Sequence, residues 1–181
     1  MAATRHEGPL PAAAELPPAR VFVALGSNLG ASAALLRQAM DWLAGGASAP
    51  LRRSSLWRTT PVDCPPGSPP FLNAVVELAL PASLSPESFL EKLQALEQKA
   101  GRQPKKILNE PRPLDLDLIA FGEERRNAPD LVLPHPRAHL RRFVLEPLCE
   151  IAPALILPGQ TKTASQLLAQ LSPGEVVERI P

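Results

Sequence analysis

The chain has 181 residues, 45% hydrophobic and 20% charged, shares that exclude a wholly disordered chain and a fibrous repeat. Nineteen Lys and Arg against 18 Asp and Glu leave a net charge of +1, so no overall field draws nucleic acid or a membrane surface, and a charged ligand must be held locally. Proline, at 23 residues, far exceeds its usual share of about 5% and clusters at 9–18, 61–70 and 104–113, where its fixed φ favours extended loops.

Residues 1–19 are rich in Ala and Pro, carry Arg5, Glu7 and Glu15, and lack the apolar run of a signal peptide. They read as a disordered N-terminal extension, and 20–181 as a single domain. RVFVAL at 20–25 has the β-branched and aromatic pattern of a buried strand. Gly26-Ser27-Asn28-Leu29-Gly30 then reads as a turn with helix-capping residues. It lacks the Gly-Lys-Ser/Thr ending of a P-loop and is expected to wall a pocket. Leu36, Met40 and Leu43 recur at helical spacing until Gly45-Gly46. Two strands at 51–58 (LRRSSLWR) and 71–80 (FLNAVVELAL) flank a proline-rich loop too long for a tight hairpin.

Ser85 is placed as an N-cap with Pro86 at the first helical position, and Phe89, Leu93, Leu96 and Ala100 line one face of that helix. LDLDLIAF at 114–121 alternates as a half-buried strand should, and Gly122 closes it. A short extended piece at 131–133, a helix carrying Leu140, Phe143, Val144 and Leu148, and a last helix at 165–171 complete the chain. The order β-α-β-β-α-β predicts an α+β fold of the ferredoxin-like kind, an antiparallel sheet with two helices on one face and extra C-terminal elements over the rest. Cys64 and Cys149 have neither metal-ligand spacing nor a disulfide framework, and no apolar run reaches 18 residues, so a soluble cytoplasmic protein is expected.

The sharpest chemical signal is Arg112-Pro113-Leu114-Asp115-Leu116-Asp117-Leu118. Strand residues two apart share a face, so Asp115 and Asp117 stand side by side with Cα atoms roughly 6.5 Å apart, while the leucines face the core. Paired hard oxygen donors on a rigid strand suit Mg²⁺, and two such ions about 3.5–4 Å apart would clamp a polyphosphate. The bland alternative is a solvated strand face that merely tolerates Asp, a residue depleted in strands. Lys99, Arg102, Lys105, Lys106 and Arg112 lead up to this strand and could close over phosphates, although a charge run is more often a solvated loop. Pro134-His135-Pro136-Arg137 holds His135 in an extended loop ahead of Arg141 and Arg142; taken alone, such a histidine is more often structural.

With these residues in place, the chain resembles the 6-hydroxymethyl-7,8-dihydropterin pyrophosphokinase family. The likeness spans about 20–160 and rests on VFVALGSNLG, SSLWRTTPV followed by FLNAVVEL, PRPLDLDLIAFG, and LPHPRAHLRRFVLEPLCEIAP, in that order. It implies transfer of the β,γ-diphosphoryl group of ATP to the pterin hydroxymethyl oxygen in folate biosynthesis, with release of AMP. It implies two Mg²⁺ on Asp115 and Asp117, with Arg102 and Arg112 assisting transfer. Gln94, Glu97, Arg112, His135 and Arg141 are implied as ATP contacts, with the backbone at Leu118 and Val132 bordering adenine. The pterin is implied between Phe71 and Phe143, with Asn73 on its edge and Thr59, Thr60 and Val62 closing the slot. Asn109-Glu110 and Pro104-Lys105 depart from the family pattern in the loop before the Asp strand, and Phe71 replaces a tyrosine of many relatives, keeping the ring without the hydroxyl. A monomer without nucleic-acid or membrane partners is expected. The competing readings are an inactive nucleotide- or RNA-binding module and another Mg-dependent nucleotide enzyme.

Overall fold

The computed structural model describes residues 17–61, 64–103, 110–172 and 176–180. The sequence forms β1 (Ala19–Ser27), α1 (Ser32–Gly45), β2 (Arg52–Arg53), β3 (Trp57–Thr59), β4 (Phe71–Leu80), α2 (Pro86–Lys99) and β5 (Asp115–Phe121). After these come β6 (Arg126–Asn127), β7 (Val132–Leu133), a 3-10 turn (Ala138–Leu140), α3 (Arg142–Ile151), α4 (Ala164–Gln170) and β8 (Val177–Arg179). This is an α+β fold. Among the described residues a six-stranded antiparallel sheet runs β5-β1-β4-β3-β8, with β2 also on β4, and β6 pairs with β7 apart from it.

Alternation along the strands sorts side chains into two cores. On one face, Val21, Val23 and Leu25 of β1 and Leu116 and Leu118 of β5 pack with Leu36, Met40 and Leu43 of α1 and Phe89 and Leu93 of α2. On the other, Phe22, Val75, Ile119 and Ala120 pack under Val144, Leu145 and Leu148 of α3 and Leu167 of α4. Leu36, Leu93, Leu145 and Leu148 are fully buried, each stabilising the fold by about 1.5–3 kcal/mol. Helices therefore cover both faces. The α3 face is covered over Phe22, Ala24, Val75, Ile119 and Ala120, and the same face carries Asn73, Asp115 and Asp117 toward the far end of the strands.

Several expected elements change on folding. The strand foreseen at 51–58 splits into β2 and β3, because between the pairs Arg53↔Val76 and Trp57↔Asn73 four steps on one strand face three on the other. At the split the Ser54 hydroxyl oxygen accepts from the Val75 amide at 2.9 Å, in place of a backbone acceptor. Gly26 and Ser27 belong to β1 rather than to a turn, and α1 has Ala31 at its N-cap, with no side-chain cap. Ser85 does cap α2, accepting from the Ser88 amide. The helix expected around Leu140 is two pieces, since Arg141 is extended between the 3-10 turn and α3. β8 was not foreseen: three residues of mixed polarity carry too little periodicity to identify a strand.

Candidate active site

The register of β1 builds the site. Gly26 faces Asn73 of β4 on one side and Asp115 of β5 on the other, while Ala24 lies between Val75 and Asp117. Trp57 faces Asn73 and Thr59 faces Phe71, so Thr59, Phe71, Asn73, Asp115 and Asp117 all project from one side of the sheet. Gly26 keeps this floor open. A Cβ there would lie 3.3 Å from Asn73 Oδ1 and 3.8 Å from Asp115 Cβ.

The result is a cleft of about 450 Å³ with two chemically different ends. One end has Thr59, Thr60, Phe71, Asn73 and Phe143; the other has Gln94, Glu97, Arg102, Arg112, Asp115, Asp117, His135 and Arg141. Of the residues singled out from the sequence, Leu118 and Val132 do not line it: Leu118 is buried beneath the sheet and Val132 is exposed on β7. Val62 lies outside the described residues. Gly26, in the segment expected to wall a pocket, lines the cleft, as do Cys64, Leu90, Leu116, Arg137 and Leu140, which no sequence signal assigns to it. The signal for Gly26 was a glycine ending a β-branched run, but its meaning depends on the strands beside it.

Hydrogen bonds fix the polar wall. Asn73 Nδ2 donates to Thr59 Oγ1 at 2.8 Å, tying the middle of β4 to the rim. Asn28, expected to cap a helix, instead clamps loops: its Oδ1 accepts from the Arg112 amide at 2.8 Å, its own amide donates to Arg112 O, and its Nδ2 donates to Pro69 O. That clamp sets where β5 begins. Arg102 Nη1 donates both to Glu97 and to Asp115 Oδ1, the latter at 2.8 Å, and Arg112 Nη1 reaches the same Asp115 oxygen at 3.3 Å. Arg141 stacks 5.3 Å above the Phe143 ring and lies 4.0 Å from Asp117 Oδ2, joining the two ends of the cleft.

Burial and neighbouring charges perturb three groups of the site, Asp117, His135 and Glu97. Burial, then the Asp115 charge, push the Asp117 carboxyl above its usual range. Burial lowers the His135 pKa against the pull of Asp117, and His135 Nδ1 accepts from the Arg137 amide. Burial pushes Glu97 up to about 7, opposed by the hydrogen bond from the Leu116 amide and by Arg102. Because the folded value lies above the ordinary 4.5, the folded chain holds more proton than the unfolded one between these values, and stability falls as pH rises from 4.5 to about 7. The Glu97→Gln variant is expected to remove up to about 3 kcal/mol of this slope, read from urea unfolding at pH 5 and pH 8. Parallel curves for the two proteins would show that Glu97 does not titrate there.

The donor set fits a divalent cation shared with a phosphate ligand. Among the described residues no three His, Cys, Asp or Glu side chains are placed to hold a metal by themselves. Two repelling carboxylates would leave the remaining positions of Mg²⁺ to water and phosphate oxygens. The buried Arg112 Nε has no hydrogen-bond partner among the described residues, a donor whose desolvation an anion would offset. The family model for 7,8-dihydro-6-hydroxymethylpterin-pyrophosphokinase matches residues 22–153, which takes in both ends of this cleft. The chain belongs to that family.

Members of the family with the same general length support the assignment. A 2-amino-4-hydroxy-6-hydroxymethyldihydropteridine pyrophosphokinase of Synechocystis sp. is 40% identical over 149 residues, covering 82% of this chain and 74% of its own. One of Pseudomonas aeruginosa is 39% identical over 163 residues, covering 90% and 97%. In structure, the chain is similar to a Plasmodium falciparum HPPK-DHPS triple mutant with pteroate, at a TM-score of 0.65 and 13% identity, over 87% of this chain and 44% of that one. At that identity the likeness bears on the fold alone, and this chain spans less than half of the Plasmodium protein. No helix among the described residues is long and apolar enough to cross a membrane.

Proposed function

We propose that the chain transfers the β,γ-diphosphoryl group of ATP to the hydroxymethyl oxygen of 6-hydroxymethyl-7,8-dihydropterin, a step of folate biosynthesis, on a ferredoxin-like βαββαβ frame. Support for the frame comes from the sheet order, with β1 between β5 and β4 and β3 beyond β4. The observation that carries the function is the placing of Asn73 and Asp115 on either side of Gly26. It sets an aromatic and amide slot directly beside a carboxylate pair.

In this reading the pterin lies against Phe71 and Phe143, aromatic faces that suit a flat heterocycle, with Asn73 on its polar edge. The triphosphate lies over β5, where Arg102, Arg112 and Arg141 supply guanidinium donors and Gln94 and His135 supply polar contacts. Asp115 and Asp117 would hold Mg²⁺, which when bound neutralises phosphate charge and orients the reacting groups. The pterin oxygen attacks the β-phosphorus, the bond from that phosphorus to the α,β-bridging oxygen breaks, and the hydroxyl proton passes to solvent. Transfer of this kind depends on alignment and charge neutralisation more than on a strong base. Glu97 fastens the site, since its carboxylate is engaged by Leu116 and Arg102.

Incubation with ATP, magnesium and the reduced pterin tests the reading. AMP and the pterin diphosphate are expected only when both substrates are present. ATP turnover without pterin would favour another nucleotide enzyme, and nucleotide binding without AMP release a binding module.

A further inference from the structure

A cluster outside the cleft has no part in the chemistry above. Glu150, near the end of α3, accepts from the Ser55 amide at 2.9 Å, the Ser55 hydroxyl at 2.7 Å, Trp57 Nε1 at 3.1 Å and Arg179 Nη2 at 3.1 Å. Arg179 Nε also donates to Ser55 Oγ at 2.8 Å. One carboxylate thus ties α3 to the turn before β3 and to β8. Burial opposes its charge, but these donors outweigh it and hold the carboxyl below its usual range. None of the four residues lines the cleft.

What the cluster holds in place is the cleft's rim. β8 pairs with β3 through Trp57↔Arg179 and Thr59↔Val177, the Ile180 amide donates to Leu56 O at 2.8 Å, and the Thr60 amide donates to Val176 O. On its inner side, Thr59 Oγ1 accepts from Asn73 Nδ2. Thr59 is therefore held from outside by β8 and holds Asn73 from within. With Nδ2 directed at Thr59, Asn73 Oδ1 lies beside Gly26 and is left to accept from a ring N–H or an amino group. We propose that Glu150 and Arg179 are positioning residues for the pterin: through β8 and Thr59 they set the orientation of the Asn73 amide before the substrate arrives. The proposal rests on the pyrophosphokinase reading. It assigns these residues chiefly to pterin recognition, because the Arg102 and Arg112 contacts go to Glu97 of α2 and Asp115 of β5 and involve neither β3 nor β8.

The test uses the full chain with Glu150→Gln and Arg179→Ala, measuring kcat, both KM values, equilibrium binding of the reduced pterin, and thermal unfolding. The Arg179 side chain is 62% exposed, so Arg179→Ala leaves the core intact and carries the test should Glu150→Gln not fold. Loss of preorganisation is expected to raise the pterin KM and Kd roughly five- to tenfold in Glu150→Gln and about threefold in Arg179→Ala, with the ATP KM within about twofold of wild type. The double variant should fall short of the product of the single effects, since both act through one cluster. A merely structural role would lower the unfolding temperature with an unchanged pterin KM, or raise both KM values together; either result overturns the proposal. A wild-type chain that forms no AMP would instead defeat the functional reading, and this inference with it.

Discussion

Replacing Asp117 with alanine is expected to lower AMP formation by about three orders of magnitude at millimolar magnesium while leaving the fold intact. The carboxylate projects into the cleft from β5, next to Asp115, and Arg141 lies 4.0 Å from it. The proton affinity of Asp117 is raised by burial and by the neighbouring Asp115 charge, which repels its carboxylate. Alanine removes that repulsion. The variant should therefore unfold at the same or a higher temperature than wild type even as turnover collapses. Such opposed effects are the mark of a residue kept for chemistry rather than for stability. Quantifying AMP under saturating ATP and pterin, alongside thermal unfolding, checks both halves; near-normal AMP would remove Asp117 from the metal site.

Arg102→Ala should separate two roles that the wild-type side chain combines. Its guanidinium bridges Glu97 and Asp115, and Arg112 touches the same Asp115 oxygen. Both arginines compensate a carboxylate that a divalent cation would otherwise neutralise, so they compete with the ion for it. Once a triphosphate is present, the same guanidinium has phosphate oxygens to grip. The variant is expected to bind Mn²⁺ several-fold more tightly without nucleotide, and to transfer the diphosphoryl group about a hundredfold more slowly. The pterin KM should change by less than about threefold. Titration of Mn²⁺ by its paramagnetic signal and single-turnover transfer measure the two effects. Weaker Mn²⁺ binding in the variant would show that Arg102 supports the metal site instead of shielding it.

Much of this site is local in origin. The Asp115/Asp117 pair follows from two-residue alternation in LDLDLI, which needs no knowledge of neighbouring strands, and the α2 cap at Ser85 follows from Pro86 after it. The same locality explains the misses. Gly26-Ser27-Asn28 has the composition of a turn, yet pairing of Gly26 with β4 and β5 and of Ser27 with β4 draws them into a strand, and Asn28 meets Arg112, 84 positions away. At the split between β2 and β3 a serine hydroxyl takes a backbone amide across the sheet, a contact between residues 21 positions apart.

The sequence by itself determined which residues are apolar on which period, and hence the helices, the main strands and the acidic pair on a shared face. Only the tertiary structure decided that Gly26 separates Asn73 from Asp115, that Arg102 rests on Asp115, and that β8 closes the outer edge behind Thr59. The reason is range. Periodicity records the burial of a segment against an unspecified partner, whereas strand register, the sharing of one carboxylate by two arginines, and burial of the Glu97 carboxyl arise from groups that meet only after folding.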